Sequence, residues 1–236
     1  MKYMGSKARI AKHILPIILK GRKLHQWYVE PFVGGGNIIE KVQGFRLGAD
    51  NNPYVIEALK LIRDAPESIP DLITEDDYDK AKSERKVDGL TGFIAFSMSF
   101  GGKFFGGYRR DVAGTKGCLA NMKTQTRRSK KAALIQSKFL KECELVCCSY
   151  DDLEIPDKSI IYCDPPYKKT TKYSTEIDYK HFYNWCRNKH NEGHTIFISE
   201  YSMPDDFICV WEKELSTTLS TSKSKKPTEK LFTIKR

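Results

Sequence analysis

The sequence contains no C-x-x-C pair, no histidines at metal-ligating spacing and no apolar run long enough to cross a bilayer. Its seven cysteines are an odd number, and two of them, Cys147 and Cys148, are adjacent. Neither a disulfide framework nor a zinc site is indicated, and reduced thiols in a cytosolic protein are the simplest reading. The longest apolar stretch near the N-terminus, Ile14 to Leu19, is far short of the ~20 residues a spanning helix needs. It also lacks the flanks of a signal peptide, so no secretion or membrane role is expected. Acidic residues are in deficit, with 30 Asp and Glu against 40 Lys and Arg, a net charge of +10. That balance favours a polyanionic partner, nucleic acid first, with a merely basic soluble protein as the alternative. Internal repeats are lacking as well. The 236 residues suffice for one domain with a substantial core, or one domain carrying an insertion.

What is present is an alternation of short apolar strands and amphipathic helices. Ser6 can cap a helix to about Lys20 that buries Ile10, Ile14 and Ile17 or Ile18, kinked or shortened at Pro16. Trp27-Tyr28-Val29 reads as a strand broken by Pro31 and Gly34-Gly35-Gly36, after which a helix can restart at Asn37. Phe45 to Ala49 is a second strand ending at Asp50. Asn52 caps a third helix with Pro53 in its first position and Val55, Leu59 and Ile62 inward. The pattern resumes with strands at Glu144 to Cys147 and Ser159 to Cys163, a helix over Tyr179 to Lys189, and a strand at Thr195 to Ser199. Phe207 to Glu212 and Leu231 to Ile234 read as closing strands that can pair antiparallel. Such alternation predicts an α/β fold, a parallel sheet with helices on both faces. Between the halves, residues 65–133 break the pattern, with an acidic start (Glu75-Asp76-Asp77), a helix near Phe93 to Met98, a Gly-aromatic segment and the basic cluster Arg127 to Lys131. They read as an insertion into a domain built from 1–64 and 134–236. Ser216 to Lys226 reads as a surface loop.

Two segments carry chemistry. Glu30-Pro31-Phe32-Val33-Gly34-Gly35-Gly36 is a glycine-rich turn after the first strand, where a ligand can approach the backbone closely. Its spacing is not G-x-G-x-x-G, so a dinucleotide fingerprint is weakly supported. Asp50, ending the next strand, sits where an acid receives ribose hydroxyls, or else caps a helix. The second segment is Ile160-Ile161-Tyr162-Cys163-Asp164-Pro165-Pro166-Tyr167. An apolar strand delivers an acid, two prolines and an aromatic into a loop. The prolines fix φ and remove two N–H donors, leaving stiff backbone with outward carbonyls. A carboxylate and a carbonyl can accept from an exocyclic amine while a ring stacks on the base, which is what holding an extruded adenine requires.

With these motifs in this order, the sequence resembles the Dam-type DNA adenine-N6 methyltransferases, the alpha class (D12) of bacteria and phages, over nearly its whole length. Tyr3-Met4-Gly5-Ser6-Lys7 is similar to the family's N-terminal cofactor motif, Glu30 to Gly36 to its methionine-side loop, Asp50 to its ribose-binding acid and Asp164 to Tyr167 to its catalytic loop. Ser149-Tyr150 is similar to the segment near the cofactor adenine. The resemblance implies a Rossmann-like methyltransferase sheet, S-adenosylmethionine as methyl donor and an inserted, mainly helical target-recognition region. It implies that Tyr3, Lys7, Phe32, Gly34, Asp50, Ser149 and Tyr150 line the cofactor site, and that Asp164 contacts both cofactor and target amine, with Pro165, Pro166 and Tyr167 completing the catalytic loop. Ser199-Glu200 departs from the Ser-Asn common in relatives, which leaves the role of Glu200 open.

Ser99 to Arg110 interleaves basic residues with aromatics and glycines, suited to phosphate contact with stacking or base-step wedging; a buried packing knot is the alternative. Lys103, Arg109, Arg110, Arg127, Arg128 and Lys130 are the expected DNA contacts, the last three alternatively a solvated helix face. Thr170 to Tyr173 is expected to form a lid over the flipped base. Double-stranded DNA is the expected partner of a monomer in the cytoplasm of a bacterial or phage-infected cell, and neither a metal nor a cysteine nucleophile is needed. Cytosine N4, RNA adenine or protein glutamine as acceptor, an inactive DNA-binding relative, and an oxidoreductase remain as alternatives. The recognition sequence stays open; GATC is the commonest among relatives.

Overall fold

Burial on both faces sets the core strands. In the computed structural model, which describes residues 1–110, 116–167, 177–214 and 228–235, β1 (Tyr28–Glu30), β2 (Arg46–Asp50) and β4 (Ile160–Cys163) are buried along their full length. Strands covered on both faces read as near-continuous apolar runs for this reason. β3 (Cys143–Cys147) lies at the sheet edge and exposes Glu144, Val146 and Cys147. With β5 (Thr195–Glu200), β6 (Phe207–Glu214) and β7 (Thr228–Ile234) they form one sheet in the order β3-β2-β1-β4-β5-β7-β6. The first five strands are parallel, and β7 enters antiparallel between β5 and β6.

Successive side chains feed opposite faces. Tyr28, Ile160 and Tyr162 join a core with α1 (Ala11–Ile18), α2 (Pro53–Asp64), α3 (Glu75–Glu84), α4 (Gly89–Ser97) and α5 (Leu119–Leu140). Val29, Ile161 and Cys163 join a second core against α6 (Tyr179–Asn191). This is the expected Rossmann-like sheet with helices on both faces. The order of connections reverses between β1 and β4, so the loops leaving those strands diverge and open a crevice at their carboxyl ends.

Local chemistry explains most boundaries. The Asn52 side chain accepts from Tyr54 N at 3.0 Å and Pro53 takes the first turn of α2, with Val55, Leu59 and Ile62 fully buried. Two expected helices are shorter. Ser6 caps a 3₁₀ turn, Lys7–Arg9, and α1 starts only at Ala11. The helix expected from Asn37 is a single 3₁₀ turn, Ile39–Lys41, because Val42 returns to extended backbone and Gly44 turns at φ +76° into β2. One helix was not expected: Glu75-Asp76-Asp77 is the first turn of α3, closed by a capping box in which Asp77 N donates to Thr74 Oγ1 at 3.1 Å and Thr74 N to Asp77 Oδ2 at 2.8 Å. Ser216 to Lys226 and Thr170 to Tyr173 lie outside the described residues.

Residues 65–133 do not stand apart. α5 runs through position 133, and Arg46 caps its end by donating to the Phe139 and Lys141 carbonyls at 2.5 and 2.6 Å. α4 lies directly on α2, and a Cβ at Gly92 would come within 2.2 Å of the Tyr54 carbonyl oxygen. Backbone cannot rotate away as a side chain can. We expect Gly92→Ala to cost about 1–3 kcal/mol by overpacking, outweighing the ~1 kcal/mol that alanine adds in helix propensity. Thermal unfolding checks this: a variant melting at or above wild type would mean the contact yields freely.

Candidate active site

β4 ends at Cys163 and delivers Asp164 into the crevice. Its nearest charge comes from the start of the chain: Lys7 Nζ lies 3.0 Å from Asp164 Oδ1. Lys7 is held there by the Ser6-capped turn and by donating to the Gly5 carbonyl at 3.2 Å, with only 8% of its side chain exposed. The ammonium stands 4.4 Å from the centre of the Tyr167 ring and 3.9 Å from Glu229 Oε2. The Tyr167 hydroxyl donates to that same oxygen at 2.7 Å, and the Tyr201 ring meets Tyr167 edge-on at 4.6 Å. The Tyr179 hydroxyl donates to the Pro166 carbonyl. The expectation that both proline carbonyls point outward unpaired therefore fails for Pro166, because α6 places a phenol over it.

Electrostatics in this cluster oppose one another. Desolvation pushes the Asp164 carboxyl above its ordinary range, Lys7 pulls it back down, and the Glu229 charge adds to the rise. For Lys7, desolvation lowers the pKa but Asp164 and Glu229 outweigh it, so the amine stays protonated. Desolvation, then Asp164 and Glu229, hold the Tyr167 phenol protonated. Glu30, at the end of β1, is buried and accepts from the Tyr28 hydroxyl at 2.9 Å; burial raises its carboxyl well above the usual range.

The glycine turn after β1 is shaped by its neighbours. Gly34 has φ +47°, and a Cβ there would lie 2.8 Å from the Tyr3 ring. The expected pair Tyr3 and Gly34 is thus brought into contact. Asp50 Oδ2 accepts from Gly34 N at 3.1 Å and Oδ1 from Asn52 N at 3.0 Å, while burial pushes its carboxyl up to about 6. Phe32 stands 5.3 Å from Tyr150, ring centre to ring centre, both half-buried. Ser149 Oγ accepts from Asp151 N at 3.4 Å, just beyond the Asp50–Cys147 pairing of β2 and β3. These positions line the carboxyl ends of β1, β2 and β3. The donor set fits S-adenosylmethionine: each Asp50 oxygen keeps a lone pair for a ribose hydroxyl, Phe32 and Tyr150 offer aromatic walls, and the net negative charge of Asp164, Glu229 and Lys7 complements a sulfonium.

The expected DNA contacts divide. Lys103, Arg127 and Arg128 are exposed. Arg109 is not: it is buried beneath α5, donating to the Ser97 and Gln125 carbonyls and to Ser129 Oγ at 3.3–3.4 Å. The expected DNA contact at Arg109 is corrected, because those acceptors hold the two terminal nitrogens of its guanidinium inside. Arg110 forms a bidentate pair with Glu75 at 3.1 and 2.6 Å, and Lys130 pairs with Asp71 at 2.9 Å. The Gly-aromatic segment combines both readings: Phe105 and Tyr108 are buried, and Phe100 is 63% exposed. The Gly102 carbonyl accepts from Met4 N at 3.1 Å, tying the segment to the N-terminal motif.

Sequence reasoning missed Glu229, Tyr179 and Tyr201. The register of β7 carried the signal for Glu229: it shares a strand face with Leu231, which is fully buried. Glu200, whose role stayed open, is buried and accepts from Tyr201 N at 2.7 Å and from the Tyr179 hydroxyl at 3.4 Å. Among the described residues no cluster of His, Cys, Asp or Glu is placed to hold a metal, and no helix is long and apolar enough to cross a membrane.

A seven-stranded sheet with this order and a carboxylate loop after β4 fit the Rossmann-like fold of S-adenosylmethionine-dependent methyltransferases. The model of the D12 class N6 adenine-specific DNA methyltransferases matches residues 3–204, and the chain belongs to that family. Curated proteins give no match. Among solved structures, two of the rRNA methyltransferase aviRa from Streptomyces viridochromogenes are similar, at 12% identity with TM-score 0.48 and 13% with TM-score 0.46. The alignments cover 99% and 98% of this chain and 86% of the other in each case.

The Lys7–Asp164 contact has a direct test. Replacing Lys7 by Met removes the charge that holds the Asp164 pKa down, so the carboxyl should titrate at higher pH than in wild type. Carbon-13 NMR of labelled aspartates reads this, and an unmoved Asp164 titration would contradict the pairing.

Proposed function

We propose that Asp164, Pro165, Pro166 and Tyr167 form the acceptor site at which this adenine-specific methyltransferase modifies N6 of an adenine extruded from double-stranded DNA. The observation that carries this reading is the Asp164 carboxylate at the end of β4, ion-paired to Lys7 at 3.0 Å beside the Tyr167 ring. The N6 lone pair is delocalised into the purine ring and is a poor nucleophile. Asp164 and the Pro165 carbonyl accept the two N6–H bonds and draw the nitrogen towards tetrahedral geometry, freeing the lone pair. Tyr167 stacks on the base and offsets part of the few kcal/mol spent in unstacking it. Lys7 lowers the Asp164 pKa against the rise from desolvation and so favours the carboxylate, which is then placed to take the proton that N6 sheds. Bound S-adenosylmethionine supplies the activated methyl group. Tyr3, Phe32, Gly34, Asp50, Ser149 and Tyr150 hold and orient it, so that alignment supplies much of the rate.

Residues 65–133 serve as the target-recognition region. Phe100 offers a face for stacking on DNA, while Lys103, Arg127 and Arg128 offer phosphate contacts; Arg109, being internal, supports the region's structure instead.

Asp164→Ala is expected to lower methyl transfer from labelled cofactor to adenine-unmethylated DNA by about 10²–10⁴-fold with folding retained; undiminished turnover would sink the mechanism. Replacing Lys103 and Arg127 together by Ala should reduce the slope of log affinity against log salt by about 2, roughly 0.9 per phosphate contact. A slope equal to wild type in filter-binding titrations would remove both from the interface.

A further inference from the structure

Glu229 lies beyond residues 3–204, the part that matches the family, on a strand that closes the sheet rather than on any cofactor or catalytic loop. It is 9% exposed, yet its carboxylate reaches into the catalytic cluster. One oxygen, Oε2, takes the Tyr167 hydroxyl at 2.7 Å and stands 3.9 Å from Lys7 Nζ. The same ammonium is 3.0 Å from Asp164 and 4.4 Å from the Tyr167 ring centre.

That geometry has a consequence for turnover. Lys7 pairs with Asp164, the group placed to accept an amine proton from the base. When Asp164 takes the proton from the amine it becomes neutral, and a buried ammonium left without a counter-ion would be strongly unfavourable. Glu229 is the second carboxylate within reach. It also fixes the one hydroxyl of the ring on which the base stacks, so that the ring's orientation and the lysine's position depend on the same oxygen.

We propose that Glu229 is a positioning residue for methyl transfer, holding Tyr167 by its hydroxyl and pairing with Lys7 once Asp164 has taken the amine proton. This rests on the reading of Asp164 as the amine acceptor. Among the described residues, the other titratable groups around Asp164 and Lys7 are Glu30 on β1, Tyr162 on β4 and Tyr201 after β5. Tyr201 meets the Tyr167 ring edge-on, while Glu229 takes the Tyr167 hydroxyl and adds a full negative charge beside Lys7.

The test compares wild type with Glu229→Gln, Glu229→Ala, Tyr167→Phe and the Tyr167→Phe/Glu229→Ala pair, using labelled S-adenosylmethionine and adenine-unmethylated DNA. Glu229→Gln keeps the shape and an acceptor for the phenol but removes the charge. We expect kcat to fall about tenfold, the size of a net hydrogen bond to a charged group, with the melting temperature unchanged. The pH profile separates positioning from plain structural support. The Glu229 charge raises the pKa of both Asp164 and Lys7. Without it, both limbs of the kcat profile should move to lower pH. Glu229→Ala should lose more, and the losses from Glu229→Ala and Tyr167→Phe should be less than additive in the pair, because both remove the same hydrogen bond. Should Glu229→Ala fail to fold, the isosteric Gln variant carries the test. Wild-type kcat and an unmoved profile in Glu229→Gln would overturn the proposal. Activity in Asp164→Ala would instead overturn the reading beneath it, so the two failures are distinguishable.

Discussion

The ion pair between Lys7 and Asp164 joins the first turn of the chain to the loop that ends β4, and much of the site hangs on it. A carboxylate in a partly desolvated crevice would otherwise drift towards its neutral form, and a neutral acid is a poorer acceptor for an amine proton. Burying an ion pair rarely adds stability over an apolar pair of the same size, so its presence points to chemistry rather than to folding. Placing the lysine also places what precedes it. Tyr3 lies against Gly34 of the turn after β1, and Met4 bonds the Gly102 carbonyl of the insertion. One short N-terminal segment therefore touches the glycine turn after β1, Asp164 and the Gly-aromatic segment of residues 65–133 together.

The parts of this arrangement that could be read from the sequence are those set by neighbours along the chain. The apolar runs of β1, β2 and β4, the Asn52-Pro53 start of α2 and the closing pair β6 and β7 depend on period, caps and burial, each visible in a few consecutive residues. The Asp-Pro-Pro-Tyr loop was legible because its residue types have few other uses in that order. What escaped depends on contacts between distant segments. Arg109 looks like a phosphate ligand until α5 and the Ser97 carbonyl surround it. Arg110 and Lys130 look free until Glu75 and Asp71 fold next to them. The helix expected from Asn37 had suitable apolar residues but too little chain before β2. Glu229 sits in a strand whose polar residues resemble an exposed edge, and only the burial of Leu231 two positions on turns it inward.

The packing of the insertion bears on specificity. Residues 65–133 share a core with the sheet, α4 lies on α2 through Gly92, and α5 carries Gln136 to the glycine turn, where its Nε2 donates to the Gly35 carbonyl at 2.9 Å. A target-recognition region mounted on a hinge would let the base arrive over a range of positions. Transfer to a nitrogen tolerates little of that, since the lone pair must meet the methyl in line and small misplacements are costly. Here the exposed Phe100 and Lys103 flank Gly101 and Gly102, and Gly102 is bonded to Met4, three residues from the lysine that holds Asp164. On the proposed function, contacts made on DNA by this segment would be referenced to Asp164 through the Met4–Gly102 bond and the Lys7–Asp164 pair.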